Sequence, residues 1–435
     1  MKKIIFLIIA MLFIGIFFFL YFQPTLKNFL KTKLPIATDF NIIIIGWDGL
    51  QRDHFFDCYN KKLTECPDGL KNIKQLSGDK IFNSIVTDGE TMTKPGWVQI
   101  LSGYDAKITG SYSNTKYAPL PKNYSLFEKV ENYFGDDKIR TIFLASKPNH
   151  TGATCKGEQN EIVNYQGKKE TISEPLGEPW CITKNYVDYF ETNIGDNQNV
   201  GVKALSILDE YKTKYSQNQR LLAFFHFGDP DETGHHNGED SVEYSKAIID
   251  DDQWLGKIMD KLKQIGIDKN TYIYVITDHG FDEDGFTNGH NHFNAPFGIF
   301  ATNDTAIKWS GDRKDFTPTL LSRYGLDADK QANIPELSGL SLYSLPTSTC
   351  VQEGKAYLDY PQAQQCCAGL KLINLDQKVT IKNKNQNGCH PATGGTNDKS
   401  GYCTQCGNNI CESPENECNC STDCDLTKKQ KSSAK

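Results

Sequence analysis

The sequence predicts an α/β fold: a largely parallel sheet covered by helices on both faces, preceded by one transmembrane helix and followed by a small disulfide-rich module. Three observations carry this reading. Between about residues 40 and 346, short β-branched or aromatic runs closed by Gly or Pro alternate with amphipathic stretches, as buried parallel strands joined by crossover helices do. Residues 4–22 are nearly all apolar and follow Met1-Lys2-Lys3. Ten of the 14 cysteines fall between Cys350 and Cys424.

The apolar stretch comes first along the chain. At about 1.5 Å per residue it spans roughly 28 Å, close to the thickness of a bilayer core. Tyr21-Phe22-Gln23-Pro24 makes a poor cleavage site, so residues 1–23 are expected to stay as a signal-anchor rather than leave as a signal peptide. Lys2 and Lys3 favour a cytoplasmic N-terminus. Residues 24–40 then form a linker, and the rest is expected outside the membrane, at the cell surface. The even cysteine count suits that oxidising compartment. Cys58 with Cys66 and Cys155 with Cys181 are plausible local pairs. The net charge of −7 shows no bias toward nucleic acid.

Residues 41–346 are expected to form the main domain. Three of its apolar runs end on metal-ligand side chains. Residues 41–45 (N-I-I-I-I) lead into Gly46-Trp47-Asp48-Gly49; residues 221–227 (L-L-A-F-F-H-F) lead into Asp231 and His235; residues 271–277 (T-Y-I-Y-V-I-T) lead into Asp278-His279-Gly280. Working groups in open α/β sheets lie just past the carboxyl ends of the strands, so these groups can converge although far apart in sequence. Residues 139–144 and 297–301 are further strand candidates. A helix is expected over 242–265, because Leu255, Ile258, Leu262 and Ile265 recur at helical steps and Asp240 or Ser241 can cap it. The polar insert over 148–178 is expected to shape the mouth of the site.

Each candidate ligand has a bland alternative when taken alone. Asp48 can cap a helix, and His290 and His292 can be solvated loop histidines. Together they form an ordered set, with Asp231 and His235 one helical turn apart and Asp278 adjacent to His279. Carboxylate with neutral imidazole suits zinc or manganese. A nucleophile candidate lies in Thr91-Met92-Thr93-Lys94-Pro95-Gly96-Trp97. Pro95 fits a first helical turn, which places Thr93 at a helix start, as nucleophile or as plain N-cap. A threonine hydroxyl becomes a competent nucleophile when a divalent ion lowers its pKa. A helix N-terminus also favours a transferred phosphate.

The order Asp48, Thr93-Lys94-Pro95, Asp231-x-x-Gly234-His235, Asp278-His279-Gly280, His290 resembles the alkaline phosphatase superfamily, most closely its type I phosphodiesterase / nucleotide pyrophosphatase branch, over about residues 40 to 303. The resemblance implies an alkaline-phosphatase-like sheet and a hydrolase of phosphodiesters or phosphate esters, nucleotide-type substrates included. It implies two divalent ions, zinc foremost, with Mn, Mg or Ca open. Asp48, Asp278, His279 and the nucleophile Thr93 would hold one, and Asp231, His235 and His290 the other. His290 is preferred to His292 because it follows Gly289. Asn114 falls where the family places an amide that binds a phosphoryl oxygen, and Ser102-Gly103 and Gly110 fall where it has Thr-Gly and a second Gly. Gly96-Trp97 departs from the family's usual Asn-His, so local substrate contacts are expected to differ. Thr93 cannot become formylglycine, and Trp97 replaces the sulfatase Arg, which disfavours sulfate esters. Arg52 and Lys94 are candidate cations for further phosphate oxygens. Two other readings stay open: an envelope phosphoethanolamine or phosphoglycerol transferase using the same site, and a non-catalytic surface-binding protein.

Residues 350–425 are rich in Cys, Asn and Gly and cannot build a core without cross-links. They read as a disulfide knot, with zinc as the alternative, and a cell-wall contact is open to them. Residues 426–435 read as a basic disordered tail.

Overall fold

The computed structural model describes residues 40–343 except 79, 87, 89, 149, 166–167, 283–288, 293–294, 308–309 and 327–334, and beyond them 350–351, 353, 356–357, 365–374, 401–410, 415 and 420–424. The expected signal-anchor, nearly all of the linker and the basic tail lie outside the described residues. Among the described residues no helix is long and apolar enough to cross a membrane.

Along the chain the elements are β1 (Asn41–Trp47), α1 (Arg52–Tyr59), α2 (Lys71–Ser77), β2 (Ile81–Ile85), α3 (Thr93–Ser102), α4 (Ala106–Thr109), α5 (Leu126–Phe134), β3 (Ile139–Ala145), β4 (Cys155–Tyr165), β5 (Lys168–Gly177), β6 (Tyr189–Glu191), α6 (Asn197–Lys214), β7 (Arg220–Phe227), α7 (Asp229–Asn237), α8 (Val242–Gln264), β8 (Thr271–Thr277), β9 (Phe297–Thr302), β10 (Gly311–Asp312) and α9 (Phe316–Arg323). Eight strands form one sheet in the order β10-β2-β9-β8-β1-β7-β3-β6. β9 alone among them runs antiparallel to its neighbours β2 and β8, so the expectation of a largely parallel sheet holds.

β1 explains the architecture at the level of single residues. Its side chains are buried on both faces. Ile43 and Ile45 join a core with Phe55 of α1, Ile73 of α2, Ala204 of α6 and Leu255, Ile258 and Leu262 of α8. Ile42 and Ile44 point the other way, against Trp97 and Val98 of α3, Phe127 of α5 and Leu320 of α9. A strand covered on both sides has no polar face, hence the unbroken N-I-I-I-I run. α8 starts where its cap dictates: Ser241 Oγ accepts from Tyr244 N.

The insert over 148–178 folds back as the antiparallel pair β4–β5. Its base is tied by Cys155–Cys181, and Cys58–Cys66 closes the loop after α1. In the C-terminal module β11 (Ala356–Tyr357), β12 (Lys371–Asn374) and β13 (Gly401–Thr404) form a three-stranded sheet, followed by α10 (Ser421–Cys424). Cys350–Cys367, Cys366–Cys403 and Cys406–Cys420 are disulfides, which leaves these cysteines no thiolate for zinc. Asp423 holds a turn of this module together, because its carboxylate accepts from the backbone N–H groups of Gly407, Asn408 and Asn409.

Candidate active site

β8, β1 and β7 are adjacent and parallel, and their last residues are level: Trp47 stands opposite Thr277 on one side and Phe227 on the other. The next residue of each strand therefore opens onto the same edge. Asp48 follows β1, Asp278 and His279 follow β8, and α7 follows β7 after Gly228. Register thus gathers ligands that lie 183 and 230 residues beyond Asp48, at Asp231 and Asp278.

Two triads result. Asp48, Asp278 and His279 offer ligand atoms all within 4.8 Å of one another, and all three residues are buried. Asp231, His235 and His292 form the second set under the same limit. The triads touch, because the His279 and His292 rings stack with centroids 4.1 Å apart. His292 Nε2 lies 3.6 Å from Asp231 Oδ1 and 3.2 Å from His235 Nε2.

The expected last ligand, His290, lies outside this cluster, and His292 stands in it. Its Nδ1 donates to the His235 carbonyl at 3.0 Å, and His235 Nδ1 donates back to the His290 carbonyl at 2.9 Å. Gly289 takes φ +66°, a turn that sets His290 against the main chain of α7 and brings His292, two residues on, into the triad. His290 thus packs against His235, and His292 is the histidine that faces Asp231 and His235.

The three clustered histidines share one tautomeric arrangement. His279 Nδ1 donates to the Gly280 carbonyl at 2.9 Å, His292 Nδ1 donates to the Thr91 carbonyl, and His235 Nδ1 is held by His290. Every Nε2 is then a lone pair facing the site, which is how an imidazole is prepared for a cation. Burial and the neighbouring His292 push the His279 imidazole down to about 3, and burial likewise lowers His292. Both shifts favour the neutral ring, the form that can ligate a metal.

The carboxylates lack sufficient counter-charge. Burial raises Asp48 and Asp231, but the Lys147 ammonium acting with the neighbouring histidines (His226 and His279 on Asp48, His279 and His292 on Asp231) holds both carboxyls below the ordinary range. Asp278 is pushed well above that range by burial and by the charges of Asp48 and Asp231. Five buried atoms of the site find no hydrogen-bond partner: Asp48 Oδ1, Thr93 Oγ1, Asp231 Oδ1, Asp278 Oδ2 and His279 Nε2. Orphaned buried oxygens and an orphaned imidazole nitrogen are costly without a cation. The donor set, two carboxylate–histidine groups with free lone pairs, fits two divalent ions.

A profile of the family described as "Type I phosphodiesterase / nucleotide pyrophosphatase" matches residues 42–295, more than half of the chain. The chain belongs to the type I phosphodiesterase / nucleotide pyrophosphatase family. It is 22% identical over 223 residues to mouse ectonucleotide pyrophosphatase/phosphodiesterase family member 1, covering 51% of this chain and 21% of that protein. Against mouse family member 7 the identity is 22% over 256 residues, covering 57% of this chain and 52% of the relative. Among solved structures, a lipoteichoic acid synthase LtaP from Listeria monocytogenes overlays with a TM-score of 0.47 at 13% identity, covering 72% of this chain and 79% of that one.

Within this phosphodiesterase-family site, Thr93 is the first residue of α3; Met92 occupies the N-cap in extended conformation and the cap has no side-chain hydrogen bond. Thr93 Oγ1 is therefore not spent on capping. Asn114 Oδ1 accepts from Lys94 N at 2.9 Å, which leaves its Nδ2 group as a donor. Lys94 lies over the Tyr117 ring with Nζ 3.3 Å from the Asn114 carbonyl. Arg52 stacks on Phe297 and pairs with Asp53. Neither expected cation reaches the carboxylate pair; Lys147 does.

Sequence reasoning missed two residues here. His226, on β7, brings Nε2 to 2.8 Å from Asp48 Oδ2 and Nδ1 to 3.0 Å from Ser146 Oγ. Lys147 follows β3, with Nζ 3.2 Å from Asp48 Oδ1 and hydrogen-bonded to Asp231 Oδ2. The rule that found Asp48 and Asp278, applied to the strand candidate at 139–144, points to Lys147.

Proposed function

We propose that this protein hydrolyses phosphodiesters or phosphate esters through a covalent phosphothreonine, at a site holding two divalent ions, zinc foremost. The observation that carries this is the unpartnered Thr93 Oγ1 at the start of α3, beside two carboxylate–histidine triads with orphaned ligand atoms. Asp48, Asp278 and His279, with Thr93, would hold one ion, and Asp231, His235 and His292 the other. When bound, such ions stabilise oxyanions and lower the pKa of a coordinated hydroxyl.

Thr93 Oγ1 attacks phosphorus in line with the ester oxygen. The Thr93 hydroxyl gives its proton to solvent as the new O–P bond forms and the bond to the leaving alkoxide breaks, and that oxygen takes a proton from solvent, so the two transfers cancel. A water molecule then attacks the phosphothreonine, returning the Thr93 hydroxyl and releasing the phosphoryl product. The Asn114 Nδ2 group receives a non-bridging oxygen. His226 and Gly49 hold Asp48 and Asp278 in place from behind, the latter through Gly49 N to Asp278 Oδ1 at 3.2 Å.

The setting we propose is extracytoplasmic, on a single N-terminal membrane anchor. The apolar run over residues 4–22 supports this, as do the disulfides on both sides of the site.

Thr93→Ala tests the nucleophile. Turnover of a bis-aryl phosphate should fall by about a thousandfold or more, with zinc content unchanged. A variant that keeps both its zinc and its turnover sinks the assignment. Faster turnover of an aryl sulfate than of any phosphate ester would overturn the substrate class.

A further inference from the structure

The ammonium of Lys147 sits between the two triads, on one carboxylate of each: it donates to Asp231 Oδ2 and lies 3.2 Å from Asp48 Oδ1. Its side chain is only 10% exposed. The stem lies along Gly228, where an added Cβ would come within 3.3 Å of Lys147 Cγ and Cε. Glycine at 228 thus leaves the stem unobstructed by a side chain at that position, and the four-carbon chain can swing its head without moving the backbone.

Charge decides where the head belongs in each state. With no ions bound, three buried carboxylates face one ammonium, and Lys147 is the cation that makes the burial of Asp48 and Asp231 tolerable. With two divalent ions bound, the carboxylates are outnumbered, and three carboxylates, two dications and one ammonium leave an excess of two positive charges. An ammonium has no counter-charge left between the triads and is repelled from both ions. Attack of an alkoxide on a monoanionic diester brings in two negative charges spread over the phosphoryl oxygens, matching that excess. Lys94 does not supply the contact, being engaged with Asn114 and Tyr117.

We propose that Lys147 is a mobile oxyanion ligand, held by Asp48 and Asp231 while the ion seats are unfilled and released onto a non-bridging oxygen of the phosphoryl group once they fill. This rests on the phosphoryl-transfer reading above. It gives Lys147 two linked roles, competition with metal in the free protein and recognition of phosphate in the loaded one.

The test uses the full chain in detergent, as wild type, Lys147→Met and Lys147→Arg, with inorganic phosphate as the probe. Zinc affinity is read by competition with a chromogenic chelator, and phosphate binding to the zinc-loaded protein by calorimetry. Lys147→Met should bind zinc about tenfold more tightly, having no ammonium to displace, and should bind phosphate at least about tenfold more weakly, having lost one charge-assisted hydrogen bond. Lys147→Arg should keep most of the phosphate affinity, which also controls for folding. If Lys147→Met leaves either affinity at the wild-type value, the proposal is overturned. If the zinc-loaded wild type binds no phosphate at all, the phosphoryl-transfer reading fails before Lys147 is judged.

Discussion

Gly49→Ala is the sharpest probe of how the metal site is held. Gly49 has φ +64°, and a Cβ built on it falls 2.6 Å from Asp231 Oδ1, 2.7 Å from Asp231 Cβ and 2.9 Å from Asp231 Cα. The left-handed backbone alone costs an L-residue ~1–2 kcal/mol. Carbon atoms pack at ~3.5–4.0 Å, so the new methyl overlaps Asp231 by about 1 Å. One of the atoms it meets is main chain, so no rotamer change relieves it, and such overpacking adds ~1–3 kcal/mol. Gly78 supplies the control: its φ is +58°, and an added Cβ meets nothing within 4 Å. Gly78→Ala should therefore lose only the backbone cost, ~1–2 kcal/mol, against ~2–5 kcal/mol for Gly49→Ala. Displacing Asp231 should also weaken zinc binding roughly 10- to 100-fold. Urea unfolding of both zinc-free variants measures the first difference, and zinc per chain by elemental analysis measures the second. If Gly49→Ala is no less stable than Gly78→Ala and keeps its zinc, the packing of Gly49 on Asp231 is refuted.

Three further outcomes are expected. His292→Ala should bind one zinc roughly 10- to 100-fold more weakly, whereas His290→Ala should keep both, because His290 supports His235 through its main-chain carbonyl; chelator competition on the two variants separates them, and the reverse order would restore His290 as the ligand. His226→Phe removes the donor 2.8 Å from Asp48 Oδ2 and should cost about tenfold in zinc affinity with the far-UV spectrum unchanged; undiminished affinity would show that Asp48 needs no support from β7. Burial raises the Glu131 carboxyl to about 7, against the opposing hydrogen bond from Thr141. A folded pKa above the unfolded one stabilises fully below the unfolded value and is lost as pH rises through about 7. Wild type should thus lose stability relative to Glu131→Gln as pH rises from about 4.5 to about 7, read from urea midpoints, and a gap that stays constant with pH would count against a buried acid there.

The strands that carry the site were the legible ones, for a physical reason. β1, β7, β8 and β3 are central and covered on both faces, so their sequences are mostly apolar and end just before the residues that gather at the candidate site. β2, with the mixed sequence I-F-N-S-I and three half-buried residues, gives no such signal, and β6 and β10 have three and two residues. The reversed direction of β9 was equally illegible, since a short apolar run looks the same either way. The pair β4–β5 carries a polar sequence, held to the domain by Cys155–Cys181. His292 could not be ranked over His290 from spacing, because the choice depends on how the turn at Gly289 directs the two rings.

Gly96 and Trp97, where the family usually has Asn-His, are both fixed by close packing. A Cβ on Gly96 would fall 2.6 Å from the Asp278 Cβ, so α3 can start against the end of β8 only with glycine there. Trp97 occupies the space that a side chain on Gly46 would need, its ring 2.5 Å from that virtual Cβ, and it packs on Phe224 and His226 with centroids 5.2 and 5.1 Å away. Its Nε1 lies 3.5 Å from Asp48 Oδ2, the oxygen that His226 also approaches. One oxygen of Asp48 is thereby held by buried rings behind the strand, and Oδ1 faces the site, 3.2 Å from the Lys147 ammonium. Gly46, Gly96 and Trp97 thus act as one unit that sets α3 against β1 and β8. Enlarging Gly46 should therefore disturb Asp48 and the start of α3 together, although Gly46 touches neither substrate nor metal.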